Sequence, residues 1–192
     1  MKRLSCVFVF AFLAACGTTN AVGPERFGQA MGVLETKTEG AQTVEMVDLN
    51  GDRQPDVWKV SVKLPGAEGR SMLIRRDLDV NFDGRVDIRR HYDASGEVER
   101  EEMDLDFDRR VDAVHFYRNG ALYMSEIDMA FDGQTDVWKF YDEGELVRKE
   151  RDLDGDSIVD SWEYWKSGRL VRKGSDRDGD GEPEYFEDAP ED

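Results

Sequence analysis

The Asp-rich segments of this chain recur at a nearly constant interval, and this interval limits the possible fold more than any other feature. They begin at residues 48, 79, 104, 128, 152 and 176, so they are 31, 25, 24, 24 and 24 residues apart. The third to fifth units read DLDFDRRVDAVHFYRNGALYMSEI, DMAFDGQTDVWKFYDEGELVRKER and DLDGDSIVDSWEYWKSGRLVRKGS. Self-similarity at a period of about 20 to 50 residues is the signature of a repeat architecture. We therefore predict tandem copies of one small unit.

Each unit divides into an acidic loop and a pair of strands. In the fourth unit, the side chains of DVWKFY (residues 136–141) alternate with the two-residue period of a β-strand, and a second strand follows Gly144. The Asn119-Gly120 pair of the third unit is a strong hairpin signal. The sequence therefore predicts an all-β fold: an antiparallel β-meander of tandem hairpin repeats of about 24 residues, open or rolled, with the Asp-rich loops on one edge.

The two faces of the predicted sheet differ in composition. One face carries an apolar stripe, formed by Val114, Phe116, Trp138, Phe140, Trp162 and Tyr164, which we predict to be a buried sheet face. The other face is mixed, and one repeat position on it is aromatic in four units: Tyr92, Tyr117, Tyr141 and Trp165. These four rings, the aromatic ladder, are a possible ligand face, although cross-strand packing accounts for them equally well.

The acidic loops have the composition of a site for a hard cation. Ca²⁺ takes six to eight oxygen ligands, and acidic side chains at positions 1, 3, 5 and 9 of a tight loop can supply them. We number the loops 1 (48–56), 2 (79–87), 3 (104–112), 4 (128–136), 5 (152–160) and 6 (176–184). The candidate ligands are Asp48, Asn50, Asp52 and Asp56; Asp79, Asn81, Asp83 and Asp87; Asp104, Asp106, Asp108 and Asp112; Asp152, Asp154, Asp156 and Asp160; and Asp176, Asp178, Asp180 and Glu184.

Loops 5 and 6 resemble EF-hand calcium loops, and this resemblance implies that Glu163 and Glu187, at position 12, are bidentate ligands. The other loops are similar to the calcium turns of thrombospondin type 3 and integrin FG-GAP repeats. The segments FYRNGAL, FYDEGEL and EYWKSGRL look like the hairpins of MORN-variant repeats. These resemblances imply weak extracellular calcium binding between β-hairpins, and they favour strands over the helices of an EF-hand sensor.

Two loops depart from the pattern. Loop 3 has Arg109 where the others favour glycine, so a salt bridge could replace the metal there. Loop 4 has Ala130 at position 3, which leaves Asp128, Asp132 and Asp136 as a weak site. For all six loops, the alternative is a set of Asx-turns without metal.

The N-terminal residues resemble the leader of a bacterial lipoprotein. Lys2 and Arg3 precede a short apolar run, and LAAC (residues 13–16) is similar to a lipobox. This resemblance implies that residues 1–15 are a signal peptide, that Cys16 is acylated, and that the lipid bilayer is a partner. We expect an exported, lipid-anchored protein, on the outer membrane if the source is Gram-negative. The expected organisation is a tether at 16–32, the repeat domain at 33–187 and an acidic tail at 188–192.

The charge and the motifs exclude some functions. A net charge of −17 opposes binding to nucleic acid. The sequence contains no G-x-S-x-G or H-E-x-x-H motif, and the repeat accounts for its conspicuous acids, so we do not expect an enzyme. The sequence thus predicts a calcium-binding lipoprotein that acts as a structural or interaction scaffold at the cell envelope, with an envelope protein or glycan as partner. The alternative is a carbohydrate- or peptidoglycan-binding module that uses the aromatic ladder.

Overall fold

A computed structural model describes residues 32–66 and 69–190, and all regular secondary structure in these residues is β. They contain no helix that is long and apolar enough to cross a membrane. The predicted signal peptide and Cys16 lie outside the described residues. The strands are β1 (Gly32–Glu39), β2 (Gln42–Asp48), β3 (Val57–Lys63), β4 (Ser71–Leu78), β5 (Ile88–Tyr92), β6 (Val98–Met103), β7 (Ala113–Arg118), β8 (Ala121–Ile127), β9 (Val137–Asp142), β10 (Glu145–Arg151), β11 (Ser161–Lys166), β12 (Arg169–Ser175) and β13 (Tyr185–Asp188).

The thirteen strands form one antiparallel sheet whose spatial order is the same as their order in the sequence. Each strand contacts only the strands before and after it in the chain, so within the described residues the sheet is open and has a single layer. This arrangement confirms the predicted hairpin-repeat meander, in its open form. Because each repeat contacts only its neighbours, the fold is quasi-one-dimensional.

Tight turns fix the hairpins at the end of the strands opposite the acidic loops. Both central residues have positive φ in three of these turns: 52° and 74° at Asn119-Gly120, 49° and 84° at Glu143-Gly144, and 50° and 74° at Ser167-Gly168. These angles are typical of type I′ turns, whose twist matches that of the adjoining strands. One extra residue next to each turn shifts the register, namely Tyr123 in β8, Val147 in β10 and Val171 in β12. Such bulges increase the local twist.

The apolar stripe is less buried than predicted. No second layer covers it in the described residues, and of its members only Trp162 is buried. Arginines on neighbouring strands pack against its rings instead: the guanidinium carbon of Arg148 lies 4.1 Å from the ring centre of Phe140, and that of Arg100 lies 5.8 Å from the ring centre of Phe116. Arginine side chains on neighbouring strands therefore cover the faces of these two rings through cation–π contacts.

Many of the buried residues lie where the strands meet the acidic loops. Val57, Ala113 and Val137 are at most 3% exposed, and each directly follows the last aspartate of a loop. That aspartate is also buried in loops 1, 2 and 3, at Asp56, Asp87 and Asp112. Much of the packed interior of this thin sheet therefore lies along the loop ends of the strands, and Val60 and Ser125 extend it into β3 and β8.

Candidate metal-binding loops

The six loops lie side by side at one end of the strands and are joined by backbone hydrogen bonds. The N–H at position 1 of each loop donates to the carbonyl at position 9 of the preceding loop, over 2.8 Å from Asp79 to Asp56 and 3.0 Å from Asp152 to Asp136. A side-chain bond also joins loops 4 and 5, between Ser157 Oγ and Gln134 Oε1 at 2.8 Å. The loops therefore form a continuous row that follows the repeat.

The carboxylate at position 9 closes each loop from inside. Asp56 is 1% exposed, and its Oδ2 accepts the N–H groups of Leu49 at 2.6 Å and Asn50 at 3.2 Å. The same pair of contacts recurs in loops 2, 3 and 4. In loop 6, Glu184 takes this role and accepts the N–H of Arg177 at 2.9 Å. Position 9 is therefore a structural acceptor in every loop.

The carboxylate at position 1 accepts backbone N–H groups from within its own loop. Asp48 accepts from Gly51 at 2.6 Å and from Arg53 at 2.9 Å. Burial alone would raise the pKa of Asp48, but these bonds and others from the loop backbone outweigh it and lower the pKa below its usual value. The pKa of Asp176 is also lowered, mainly by the N–H of Gly181. Both groups are thus held as carboxylates, the form that binds metals.

Positions 3 and 5 form Asx-turns. Asn50 Oδ1 accepts the N–H of Asp52 at 2.8 Å, and Asp52 Oδ1 accepts the N–H of Gln54 at 2.7 Å. The Asx-turns of the alternative interpretation are therefore present.

Carboxylate oxygens converge in three loops. One oxygen from each member of the group lies within 4.8 Å of the others among Asp104, Asp106 and Asp108 of loop 3; Asp152, Asp154 and Asp160 of loop 5; and Asp176, Asp178, Asp180 and Glu184 of loop 6. In loop 3, Asp104 is only 8% exposed, and its Oδ1 is buried without a hydrogen-bond donor. A buried charged oxygen without a partner is costly unless a cation or donor satisfies it. These three loops could hold a metal ion.

The remaining predicted ligands lie elsewhere. Within the described residues, the carboxylates of loops 1, 2 and 4 do not form such a group, and Asp112 and Asp156 are outside the groups of their loops. Glu163 lies in β11, where its carboxylate pairs with Arg151 at 3.1 Å, and Glu187 lies in β13. The structure therefore does not bring the two glutamates at position 12 to loops 5 and 6.

Arg109 forms no ion pair with the carboxylates of loop 3 in the described chain, and its backbone adopts φ of 84°. This left-handed conformation costs an L-residue about 1–2 kcal/mol. Replacing Arg109 with glycine should relieve this strain, but glycine also increases the conformational entropy of the unfolded chain. The net gain in the free energy of unfolding should be about 0.5–1 kcal/mol, which corresponds to about 1–4 °C in Tm. Thermal unfolding in chelator measures this gain. The matched control is Arg110→Gly, and an equal effect of the two substitutions would contradict the role of backbone strain.

The four rings of the aromatic ladder occupy equivalent positions beside the tight turns and are half-buried. Tyr117 and Tyr141 pair directly with Leu122 and Leu146. The hydroxyl of Tyr117 donates to Glu101 Oε2 at 3.4 Å, whereas Nε1 of Trp165 is buried without an acceptor. The ladder is thus partly used in cross-strand packing.

A row of polar residues at the middle of the strands was not predicted from the sequence. Direct cross-strand pairs continue from β2 to β13 through Glu45, Lys59, Arg76, Arg90, Glu101, His115, Ser125, Lys139, Lys149, Glu163, Lys173 and Glu187. We call this set the polar row. Its signal in the sequence is the polar residue at position 12 of each unit: Lys59, Arg90, His115, Lys139, Glu163 and Glu187.

Glu101 is the most connected acid of the polar row. It is buried, forms an ion pair with Arg90, and lies with Oε2 3.9 Å from Nδ1 of His115. Burial lowers the pKa of His115 and outweighs the opposite effect of Glu101. Burial and Glu101 both raise the pKa of Tyr117.

No family model and no curated protein matches this chain. Among solved structures, a mutant of S. aureus TarM in complex with fondaparinux, alpha-GlcNAc-glycerol and UDP is similar at 12% identity and a TM-score of 0.36, over 58% of this chain and 21% of that chain. A structure of accessory secretory protein 1, 2 and 3 in Streptococcus pneumoniae is similar at 14% identity and a TM-score of 0.28, over 71% and 21%. This chain thus spans about a fifth of each, and such low similarity carries no conclusion about activity.

Proposed function

We propose that this protein is a calcium-binding, lipid-anchored scaffold of the cell envelope. Its acidic loops hold Ca²⁺ and brace an open sheet of β-hairpins, whose faces contact an envelope protein or glycan. The observation that carries the proposal is the convergence of carboxylate oxygens in loops 3, 5 and 6 to within 4.8 Å.

The spacing of these oxygens supports calcium as the ion. Ca²⁺ binds oxygen at about 2.3–2.6 Å, so two ligands on opposite sides of the ion are about 4.6–5.2 Å apart. Each group is within that limit, and all its ligand atoms are oxygens, which a hard cation prefers. The unpartnered Oδ1 of Asp104 gives loop 3 a buried charge for the ion to neutralise. Loops 3, 5 and 6 are therefore the proposed calcium sites.

The lipid anchor and the envelope location rest on the sequence of residues 1–16, with Cys16 as the acylated residue. A single layer with two open faces suits a scaffold, because both faces remain available for contact. We propose no catalytic activity, since the acidic groups already have roles in closing the loops.

Substitution of two loop carboxylates tests the proposal. Asp154→Ala combined with Asp178→Ala removes one candidate ligand from each of loops 5 and 6 and gives both loops the alanine that loop 4 has at Ala130. We expect the rise in Tm caused by calcium to fall by about half or more, because binding to the folded state alone stabilises it. In chelator the Tm should change by less than about 2 °C, since surface substitutions of this kind have small effects. The measurement is thermal unfolding of the chain from residue 17 onward, which retains every described strand.

The matched control is Asp93→Ala. Asp93 accepts the N–H groups of Ser95 and Glu97 in the turn between β5 and β6, at the opposite end of the strands. This variant loses one carboxylate outside the loops and should keep the full calcium response. An unchanged response in the double variant would contradict calcium binding by loops 5 and 6.

A further inference from the structure

The acidic loops carry exposed apolar side chains as well as carboxylates. Of the fifteen large apolar side chains that are exposed in the described residues, nine lie in these loops. Position 2 is apolar and exposed in loops 1 to 5, and position 4 is an exposed phenylalanine in loops 2, 3 and 4. We call the residues at these two positions the apolar edge: Leu49, Val80, Phe82, Leu105, Phe107, Met129, Phe131 and Leu153.

The apolar edge is continuous, because the loops adjoin one another. The N–H of Asp104 in loop 3 donates to loop 2 over 2.8 Å, and that of Asp128 in loop 4 donates to loop 3 over 2.7 Å. Consecutive loops are two strands apart, or about 10 Å. Within the described chain, no aromatic ring or guanidinium group packs on Phe82, Phe107 or Phe131. A contiguous apolar row on the surface marks an interaction site.

The three phenylalanines are held in a conformation that bulky residues rarely adopt. Their φ angles are 63° at Phe82, 67° at Phe107 and 59° at Phe131, in the left-handed region. Loops 1, 5 and 6 have glycine at this position, which adopts such angles without strain. Backbone strain of this kind persists mainly at functional sites. The strain therefore favours a role in contact for these rings over a role in folding.

The start of the sheet indicates what the apolar edge contacts. Gly32, the first residue of β1, pairs with Asp48, the first residue of loop 1, so the chain enters the sheet at the loop end of the strands. Cys16, the proposed site of acylation, is 16 residues before Gly32. A chain of this length spans at most about 55 Å. An acylated Cys16 therefore keeps the loop end of the sheet close to the bilayer.

We propose that the apolar edge lies on the lipid bilayer, with Phe82, Phe107 and Phe131 inserted between the lipid head groups. The strands then extend away from the membrane, and both faces of the sheet remain free for a partner. Interfacial binding of this kind increases with the apolar area that is buried. Calcium assists by neutralising the loop carboxylates, whose transfer to a less polar surface is otherwise unfavourable. This inference rests on the proposed lipid anchor and calcium sites, and it adds a second contact with the bilayer.

Co-sedimentation with phosphatidylcholine vesicles tests this contact. The protein is the chain from residue 17 onward, which lacks the anchor, in millimolar calcium and in excess chelator. We expect saturable binding in calcium and at least threefold weaker binding in chelator. If the chain does not bind the vesicles although calcium raises its Tm, the contact does not exist, and the calcium sites remain supported. Equal binding in both solutions, with no effect of calcium on Tm, would support the apolar contact and contradict the calcium sites.

A triple variant separates membrane contact from folding. Phe82→Gly, Phe107→Gly and Phe131→Gly together give loops 2, 3 and 4 the glycine of the other loops and retain every loop carboxylate. Vesicle binding should become at least tenfold weaker, because burial of each ring contributes to it. The rise in Tm caused by calcium should remain that of the parent chain. Vesicle binding equal to that of the parent chain would overturn the proposal.

Two matched double variants locate the contact at the loop end of the sheet. Met129→Ser with Leu153→Ser removes two exposed side chains of the apolar edge and should weaken vesicle binding at least threefold. Val147→Ser with Val171→Ser removes two exposed side chains beside the tight turns and should leave it unchanged. Equal losses in the two double variants would overturn the proposal. So would a dimer in calcium without lipid that the triple variant abolishes, because the apolar edge would then join two copies of the chain.

Discussion

Calcium at 10 mM is expected to raise the Tm of the chain from residue 17 onward by about 15–30 °C relative to excess chelator. Extracellular modules of this kind bind with Kd of about 10⁻⁴–10⁻³ M, and this concentration is about a hundredfold excess at the tight end of that range. A ligand of the folded state alone then contributes about 2.7 kcal/mol per site, or about 8 kcal/mol for loops 3, 5 and 6. Each kcal/mol corresponds to about 2–4 °C for a chain of this size. Differential scanning calorimetry or circular dichroism measures the change.

Magnesium and sodium chloride are the controls for this prediction. A chain of net charge −17 gains some stability from any added salt, because screening reduces self-repulsion. Magnesium requires near-octahedral geometry and loses its water reluctantly, so it should produce a much smaller rise than calcium. If magnesium and sodium chloride of equal ionic strength reproduce the full rise, the loops act as Asx-turns and the calcium effect is only screening.

Replacing Asp56 with alanine should lower the free energy of unfolding by about 2–4 kcal/mol, with or without calcium. Asp56 is almost completely buried and accepts the N–H groups of Leu49 and Asn50. Each orphaned N–H costs about 1–3 kcal/mol where water cannot replace the lost acceptor. We expect a fall of about 5–15 °C in Tm. Thermal unfolding in chelator isolates this effect from any loss of metal.

The matched variant for this prediction is Asp52→Ala in the same loop. Asp52 is exposed, and its Oδ1 accepts one N–H, from Gln54, which water can satisfy in its place. Its effect in chelator should be below about 1 kcal/mol. Equal destabilisation by Asp52→Ala and Asp56→Ala would show that position 9 has no special structural role and that only the loss of a charge matters.

The repeat period and the turn residues were sufficient to predict the architecture. A period of 24 residues leaves room for one acidic loop and two short strands, and Asn119-Gly120 specifies a turn with two positive φ values, as the structure confirms. The single layer could not be predicted in this way. An apolar stripe with Trp138 and Phe140 has the same pattern whether another layer covers it or arginines such as Arg148 pack beside it. The alternation of apolar and polar residues along a strand shows which residues share a face of the sheet, but it does not show what covers that face.

The acidic loops show a similar limit. The structure brings carboxylate oxygens together in loops 3, 5 and 6, as the sequence predicted, but the EF-hand comparison places Glu163 at its loop through helical geometry. Here the residues after Asp160 form β11, and a strand rises about 3.3 Å per residue. Three residues therefore place Glu163 about 10 Å along the strand from Asp160, where its carboxylate pairs with Arg151 and not with the loop. The polar row could not be predicted either, because the sequence alone does not show which residues are paired across neighbouring strands.

The most direct test of the central claim is the number of calcium ions bound per chain, measured by isothermal titration calorimetry on the chain from residue 17 onward in sodium chloride near physiological ionic strength. The proposed sites in loops 3, 5 and 6 predict about three ions per chain, with dissociation constants near 10⁻⁴–10⁻³ M. The stoichiometry should fall to about one in the Asp154→Ala and Asp178→Ala double variant. A stoichiometry below one, or one that this double variant leaves unchanged, would contradict calcium binding by the acidic loops.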